Sequence, residues 1–462
     1  MEVSHIIGIS ISLLALIVLS IYSGKYAKKS KGAKSWVVAG VIAGTLIGGS
    51  STVGTAQLAY NFGMSAWWYT LGCGVACLVL ALVYVKPLRS TGATTLTGII
   101  RDEYGASCGM AASILSSMGS FINILSQLIS ATAIIAVVFP KLPLAAALVI
   151  SAAFMVLYIL FGGTKGSGIV GILKMLLLYI TMLVSGILVL SRCGGLGGFC
   201  GLVDGIENPE NINFYSLFAR GVSTDLGACL SLILGVATTQ IYAQAIFMGE
   251  STAEARKGAL LSAIICPPVG IGGILVGLYM RAVHPGIVAK TALTAFVTEY
   301  MPPLVGGLML GTLFIVVVGT GAGLSLGVAT VMKKDILCPV FPTLKKEKYS
   351  SLLEKALIIL ILSVAVFLST GSFGDTILLF AFLSMGLRGA TIFFPLCGAL
   401  WLRQKIDKRC TLLAIICGPL TVLLFGLWKV LPFDPLFAGV IVSALIMTVG
   451  FLAKRLHSRS VA

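Results

Sequence analysis

The sequence predicts an all-α polytopic membrane protein of about thirteen transmembrane helices. Two observations carry that prediction. Hydrophobic residues make up 58% of the 462 and charged residues only 10%. Apolar runs of about 20 residues, each long enough to cross a hydrocarbon core as a helix, recur from end to end. A closed barrel is the other structure that satisfies every backbone group in lipid, and these runs lack the alternation of barrel strands.

The expected spans begin near residues 5, 36, 65, 109, 143, 168, 222, 258, 303, 352, 374, 410 and 435, each running roughly 18–30 residues. The first follows "MEVSH", which lacks the positive segment of a signal peptide, so it is read as a retained helix. Expected cytoplasmic loops hold Lys25, Lys28, Lys29, Lys31 and Lys34; Lys86, Arg89 and Arg101; Arg256 and Lys257; Lys333, Lys334, Lys345, Lys346 and Lys348; Arg403, Lys405, Lys408 and Arg409. The tail adds Lys454, Arg455 and Arg459, whereas the outside loops carry little beyond Lys141, Arg192, Arg281, Lys290 and Lys429. This asymmetry puts the N-terminus outside and the C-terminus in the cytoplasm, and a cell membrane is the expected location. It also accounts for the net charge of +16 without a nucleic-acid partner; the lipid bilayer and a small solute are the expected partners.

The chain reads as a single transmembrane domain over 1–462, with an extra N-terminal helix (1–30), a core (35–402) and two C-terminal helices (403–462). No soluble catalytic or signalling domain is expected. Eleven cysteines show no metal-ligand spacing; Cys73 and Cys77 share a face of an apolar helix, while Cys193 and Cys200 share one outside loop and could pair. Acidic residues, including Asp204, Glu207 and Glu210, lie mostly in loops, and His5, His284 and His457 are placed outside the spans. The spans thus offer no catalytic cluster, so an enzyme is not expected. No filter loop or ring of like residues suggests a channel.

The second span, "VVAGVIAGTLIGGSSTVGTAQLAYNFG", crowds Gly48, Gly49, Ser50, Ser51 and Thr52 at mid-span, which is poor continuous helix. Close packing through small residues would explain some of its glycines. A discontinuous helix explains the cluster better, since freed backbone groups survive in lipid only where they face a cavity or protein. The seventh span, "LSLILGVATTQIYAQAIFMG", offers its counterpart at Gly235, Thr238, Thr239 and Gln240. Broken helices in paired positions are the mark of an inverted repeat with the binding site between them, here five helices plus five. Ser50, Ser51, Thr239 and Gln240 are accordingly candidate substrate contacts. Ser120, Asn123, Gln127 and Ser130 form a polar stripe on the fourth span; Asn123 and Gln127 join that set, although packing explains most such stripes. Trp67 and Trp68 read as interfacial anchors, and Arg220 and Asp225 as a loop salt bridge.

At these residues the chain resembles the sodium:solute symporter family. "GTLIGGSSTVGTAQLAYNFGMSAWW" is similar to that family's first core helix, and "TTQIYAQAIFMGESTAEARKG" to its sixth core helix and following loop. "LMLGTLFIVVVGTGAGLSLGVATVMKKDI" resembles its eighth, and "GATIFFPLCGALWLRQKIDK" adds a further helix before a basic loop. The resemblance covers nearly the whole chain. It implies alternating-access transport of a small solute, with sodium held between the first and eighth core helices.

The pattern departs at the cation position. The equivalent positions read Gly44 and Ile47 on the first core helix and Val316, Gly319 and Thr320 on the eighth, so one hydroxyl of the family's set is missing. Ala322 and Gly323 likewise lack oxygens where some members have a further site. On the fifth core helix, "GGTKGSGIVGILK" has Gly171 where the resemblance implies an acid and Lys174 where it implies a glutamine. An ammonium supplies three donors to the acceptors that a sodium ion would otherwise use. Lys174 is therefore expected at the vacated cation position, making transport sodium-independent or proton-coupled through its amine; snorkelling towards Lys165 is the competing reading. No cofactor or metal is expected beyond sodium or a proton as coupling ion. Arg388, by its spacing from Pro395, falls on the tenth core helix near where the resemblance implies substrate. Its fork suits an anionic or zwitterionic solute, against a plain pairing with helix-end carbonyls or Asp225. A conventional sodium-coupled symporter and a transporter-like sensor with a separate partner remain the alternatives.

Overall fold

Where the helices start, stop and break determines the architecture. In the computed structural model the described residues are 3–29, 32–207, 211–345, 347–370, 377–428 and 433–460, with only the backbone at 16–17, 19–29, 160–169, 345, 347–349, 427–428 and 457–460. The side chains of Lys25, Lys28, Lys29, Lys31, Lys165, Glu210, Lys345, Lys346, Lys348, Lys429, His457 and Arg459 lie outside the described residues. Regular structure among the described residues is entirely helical.

Helix α1 (Val3–Lys29) packs along α14 (Pro303–Val331) through small residues. A Cβ on Gly8 would fall 2.5 Å from the Leu304 carbonyl oxygen, and one on Gly311 2.6 Å from Ser12 Cβ. That spacing is the small-xxx-small solution for close helix approach in lipid. His5, expected outside the spans, instead lies inside α1 and is buried against Gly306 and Gly307.

The first core helix is broken as expected. Helix α2 (Ser35–Leu46) ends where Ile47 turns extended at φ −91° and ψ 105°. A wide turn over Ser50–Gly54 leads into α3 (Thr55–Phe62). Helices α4 (Trp68–Val79) and α5 (Val85–Ser90) then run to a short α6 (Leu96–Tyr104), whose Thr95 caps the amide of Gly98 at 3.0 Å. Helix α7 (Ala106–Val138) carries the polar stripe.

The spans expected from 143 and 168 share one helical run, α8 (Leu144–Arg192). Tyr158 and Lys174 both reach Gly319, where a Cβ would lie 3.4 Å from Tyr158 Cζ and 3.2 Å from Lys174 Nζ. A straight helix would set those residues about 24 Å apart, so the run is not straight between them.

After α9 (Leu196–Asp204), the second repeat opens with its own broken helix. Helix α10 (Val222–Ala237) and α11 (Gln240–Phe247) are bent by 46° at Thr238 and Thr239. Helices α12 (Thr252–Val283), α13 (Ala292–Tyr300), α14, a short α15 (Cys338–Val340), α16 (Glu347–Ser369) and α17 (Ile377–Trp401) complete the core. Helices α18 (Lys408–Trp428) and α19 (Pro435–Ser460) pack on each other at its side. Ala33 and Glu250 hold the ends of the broken helices together: the Ala33 amide donates to Met248 O at 3.0 Å and the Glu250 amide to Ala33 O at 2.9 Å.

By length and apolarity, nine described helices can cross a membrane, or ten if the bent α10–α11 pair counts as one span. The expected first, second and fifth spans fall on apolar helical stretches of 10–17 fully described residues, Val3–Ala15 within α1, Ser35–Leu46 and Leu144–Ile159 within α8. Cys193 and Cys200 do not pair; both thiols are free.

Candidate functional site

The break in the first core helix exposes carbonyls towards α8 and α14. Gly171 is what lets α8 approach: a Cβ there would fall 2.1 Å from Gly40 O, and one on Gly44 would fall 2.8 Å from Gly171 Cα. One turn beyond this contact, the Lys174 side chain is 2% exposed. Its ammonium donates to the carbonyl oxygen of Gly44, to Val316 O at 3.1 Å and to Thr320 Oγ1 at 3.2 Å. Thr320 Oγ1 in turn donates to Ile47 O at 3.1 Å. All three ammonium protons thus meet neutral oxygens, and no ion pair to Lys174 occurs among the described residues.

Beside this cage, the amides and hydroxyls of the break meet α7. The Gly49 amide donates to Gln127 Oε1 at 2.9 Å, while Gln127 Nε2 donates to Ser50 Oγ and Asn123 Oδ1, each at 3.2 Å. Ser51 turns inward, accepting from the Gly48 amide at 2.8 Å. Ser126 was missed by the sequence reading, yet its hydroxyl lies 3.1 Å from Ser50 Oγ and donates to Ile377 O at 3.0 Å. It adjoins Gln127 in the stripe, which was the available signal.

A second cation sits at the other break. Arg388 is fully buried, its Nη1 donating to Thr239 Oγ1 at 2.6 Å. Its Nε donates to Ser384 O at 3.1 Å, and its Nη2 to Ser384 Oγ at 3.2 Å and Met385 Sδ at 2.9 Å. Ser384, one helical turn earlier, was legible from its spacing but was not singled out. Asp225 does not pair with Arg388; it accepts from Arg220 Nη2 at 2.6 Å and from Ser65 Oγ at 2.7 Å.

The side chain of Gln240 turns away from both clusters. Its Nε2 donates to Thr94 O at 3.1 Å and its Oε1 accepts from the Leu96 amide at 2.9 Å. The amide thereby fixes the start of α6, whose Thr97 Oγ1 and Arg101 Nη1 bond Asp335 at 2.6 and 3.3 Å. Trp67 and Trp68, read as anchors, donate to Pro267 O and Leu217 O at 2.9 and 2.7 Å. No group of three or more His, Cys, Asp or Glu able to hold a metal occurs among the described residues.

Two broken helices in paired positions, with polar side chains gathered at both breaks, are the arrangement found in secondary transporters. The profile of the sodium:solute symporter family matches residues 12–418, and the chain belongs to that family. It is 32% identical over 155 residues to an uncharacterised symporter, YwcA, of Bacillus subtilis (strain 168), covering 33% of this chain and 30% of that one. To the human (Homo sapiens) high affinity choline transporter 1 it is 23% identical over 293 residues, covering 60% of this chain and 50% of that one. The matched segments therefore span half or less of those relatives. Among solved structures, a sodium-coupled sialic acid symporter in a substrate-bound, outward-open state superposes with a TM-score of 0.77 at 15% identity, covering 98% of each chain. Mhp1, a nucleobase-cation-symport-1 family transporter, does so in a closed conformation at 0.60 and 13% identity, covering 93% of this chain and 94% of that one. These likenesses establish the inverted-repeat fold, and the family match with its run of apolar helices makes the chain an integral membrane protein.

Proposed function

We propose that this transporter moves a small polar, anionic or zwitterionic solute by alternating access and does so without sodium at the crossing of the first and eighth core helices. The observation that carries the reading is the ammonium of Lys174, which donates to Gly44 O, Val316 O and Thr320 Oγ1. A tethered cation takes up the acceptors a diffusible one would need. The oxygens present do not suit a sodium ion while that ammonium lies among them, because two positive charges would share one dry site. Protonation of the amine then becomes the available coupling event: the protonated form ties α8 to α2 and α14, and the neutral form loosens that tie. The positive loops support an N-terminus outside and a C-terminus in the cytoplasm of a cell membrane.

A metabolite panel screened by thermal stabilisation, with and without sodium and at two pH values, identifies a transportable solute. Uptake of that solute into proteoliposomes under an imposed sodium or proton gradient then tests the reading. Uptake that follows the proton gradient and ignores sodium is expected. Sodium-driven accumulation would establish the conventional symporter instead.

A further inference from the structure

We infer that the lateral cavity between α1, α8 and α14 is a binding site for a single hydrocarbon chain drawn from the bilayer, lodged against the stem of Lys174. The site is separate from both helix breaks, and it stands whether sodium or a proton drives transport.

Position decides what can reach it. The cavity measures about 350 Å³ and is walled by residues of all three helices. At its rim Ile11 and Ile180 are 50% and 52% exposed, whereas Met309 and Thr312 on its floor are each 5% exposed. The rim continues into Ile7 and Leu14 on α1 and into Leu183 and Ile187 on α8, all of them exposed. Exposed apolar side chains on membrane-spanning helices face hydrocarbon, so the mouth opens to acyl chains and not to bulk water.

The lining chemistry selects the occupant. Four polar residues stand among the lining residues, and each has spent its protons within the protein. Ser12 Oγ donates to Leu308 O at 3.1 Å, Thr312 Oγ1 to the same carbonyl at 2.9 Å, and Thr181 Oγ1 to Leu177 O at 2.9 Å. The ammonium of Lys174 gives its three protons to Gly44, Val316 and Thr320, none of which lines the cavity. No donor is left for a carboxylate or phosphate headgroup. A water molecule, which needs about two to four polar partners, would find few. A hydrocarbon chain needs none and gains dispersion contacts along the whole wall.

Size fits the same occupant. An apolar cavity of roughly 150 Å³ stays dry and takes up benzene, so this one holds about a dozen carbon atoms. Left empty, its lining would forfeit those contacts outright. Filled, it sets methylene groups on the lipid side of the Lys174 stem, so that no water reaches the amine from the bilayer.

The full-length protein in phosphatidylcholine vesicles is photolabelled with a dodecyl diazirine, and the labelled peptides are quantified. Labelling of the segments that carry Ile11, Leu177 and Thr312 is expected to saturate, and to fall roughly fivefold or more under excess dodecane, as competition for one site requires. Labelling around Leu352 and Phe367, exposed apolar residues of α16, should instead rise in proportion to the probe throughout. Leu177→Trp, which fills the cavity from α8, should lower the saturable component by a similar factor once gel filtration shows it monodisperse. Should that variant fail to fold, saturation in the wild type decides alone. Proportional labelling at every segment would overturn the proposal, as would unaltered saturable labelling in folded Leu177→Trp. Competition by dodecanoate roughly tenfold better than by dodecane would also overturn it, since it would reveal a headgroup site.

Discussion

Lys174 Nζ lies 3.2 Å from Thr320 Oγ1, and the same hydroxyl donates to Ile47 O at 3.1 Å. Through that pair a side chain of the fifth core helix is linked to the eighth and to the unwound turn of the first. Thr320→Val keeps the shape and removes both bonds, leaving the Ile47 carbonyl without this donor. A loss of about 1–3 kcal/mol is expected, read as a lowered midpoint in thermal unfolding, with a larger drop in transport rate than in solute affinity.

Gly171 tests the same cage from its support. The resemblance implies an acid at this position, yet any side chain meets the backbone of Gly40 at once. Gly171→Ala should destabilise by about 1–3 kcal/mol through overpacking, and Gly171→Asp by more, since it also buries a charge. Normal expression and stability of Gly171→Asp would show that the two helices do not pack this closely.

Gln240 acts on α6 through its side chain. Gln240→Leu removes the bonds to Thr94 O and Leu96 N, and about 1–3 kcal/mol of stability should go with them. A cysteine placed at Gly92, in the turn before α6, should become more reactive to a water-soluble thiol reagent in this background. Unaltered labelling would separate Gln240 from the positioning of α6.

The pair of Arg220 and Asp225 is a buried one, with side chains 13% and 0% exposed. Removing one partner leaves an uncompensated charge, so Arg220→Ala should cost about 3–5 kcal/mol. Arg220→Met combined with Asp225→Asn should recover most of that loss. A double variant as unstable as the single one would place the cost in packing instead.

The broken helices were legible because glycine and hydroxyl residues crowd where a lipid-facing helix would carry leucine, and because the two clusters stand in equivalent places of the repeat. Lys174, Gly44, Ile47, Val316 and Thr320 come together from helices far apart in sequence; family resemblance linked their positions, which periodicity alone could not do. Gln240 misled for the same physical reason. A polar residue at a break announces that it needs a partner, but its partner lay 146 residues away on another loop. His5 was misplaced because a lone histidine near a chain end resembles a loop residue; its burial comes from Gly306 and Gly307 on α14, which no local pattern reveals.

The most direct measurement is a sodium titration of thermal stability, with potassium as control, on wild-type protein and on Lys174→Ala. Removing the amine leaves Gly44 O, Ile47 O, Val316 O and Thr320 Oγ1 around an opening suited to a hard cation. The account predicts no sodium-specific shift for the wild type and a rising midpoint with sodium for the variant. A sodium-specific rise in the wild type, with none in Lys174→Ala, would contradict it.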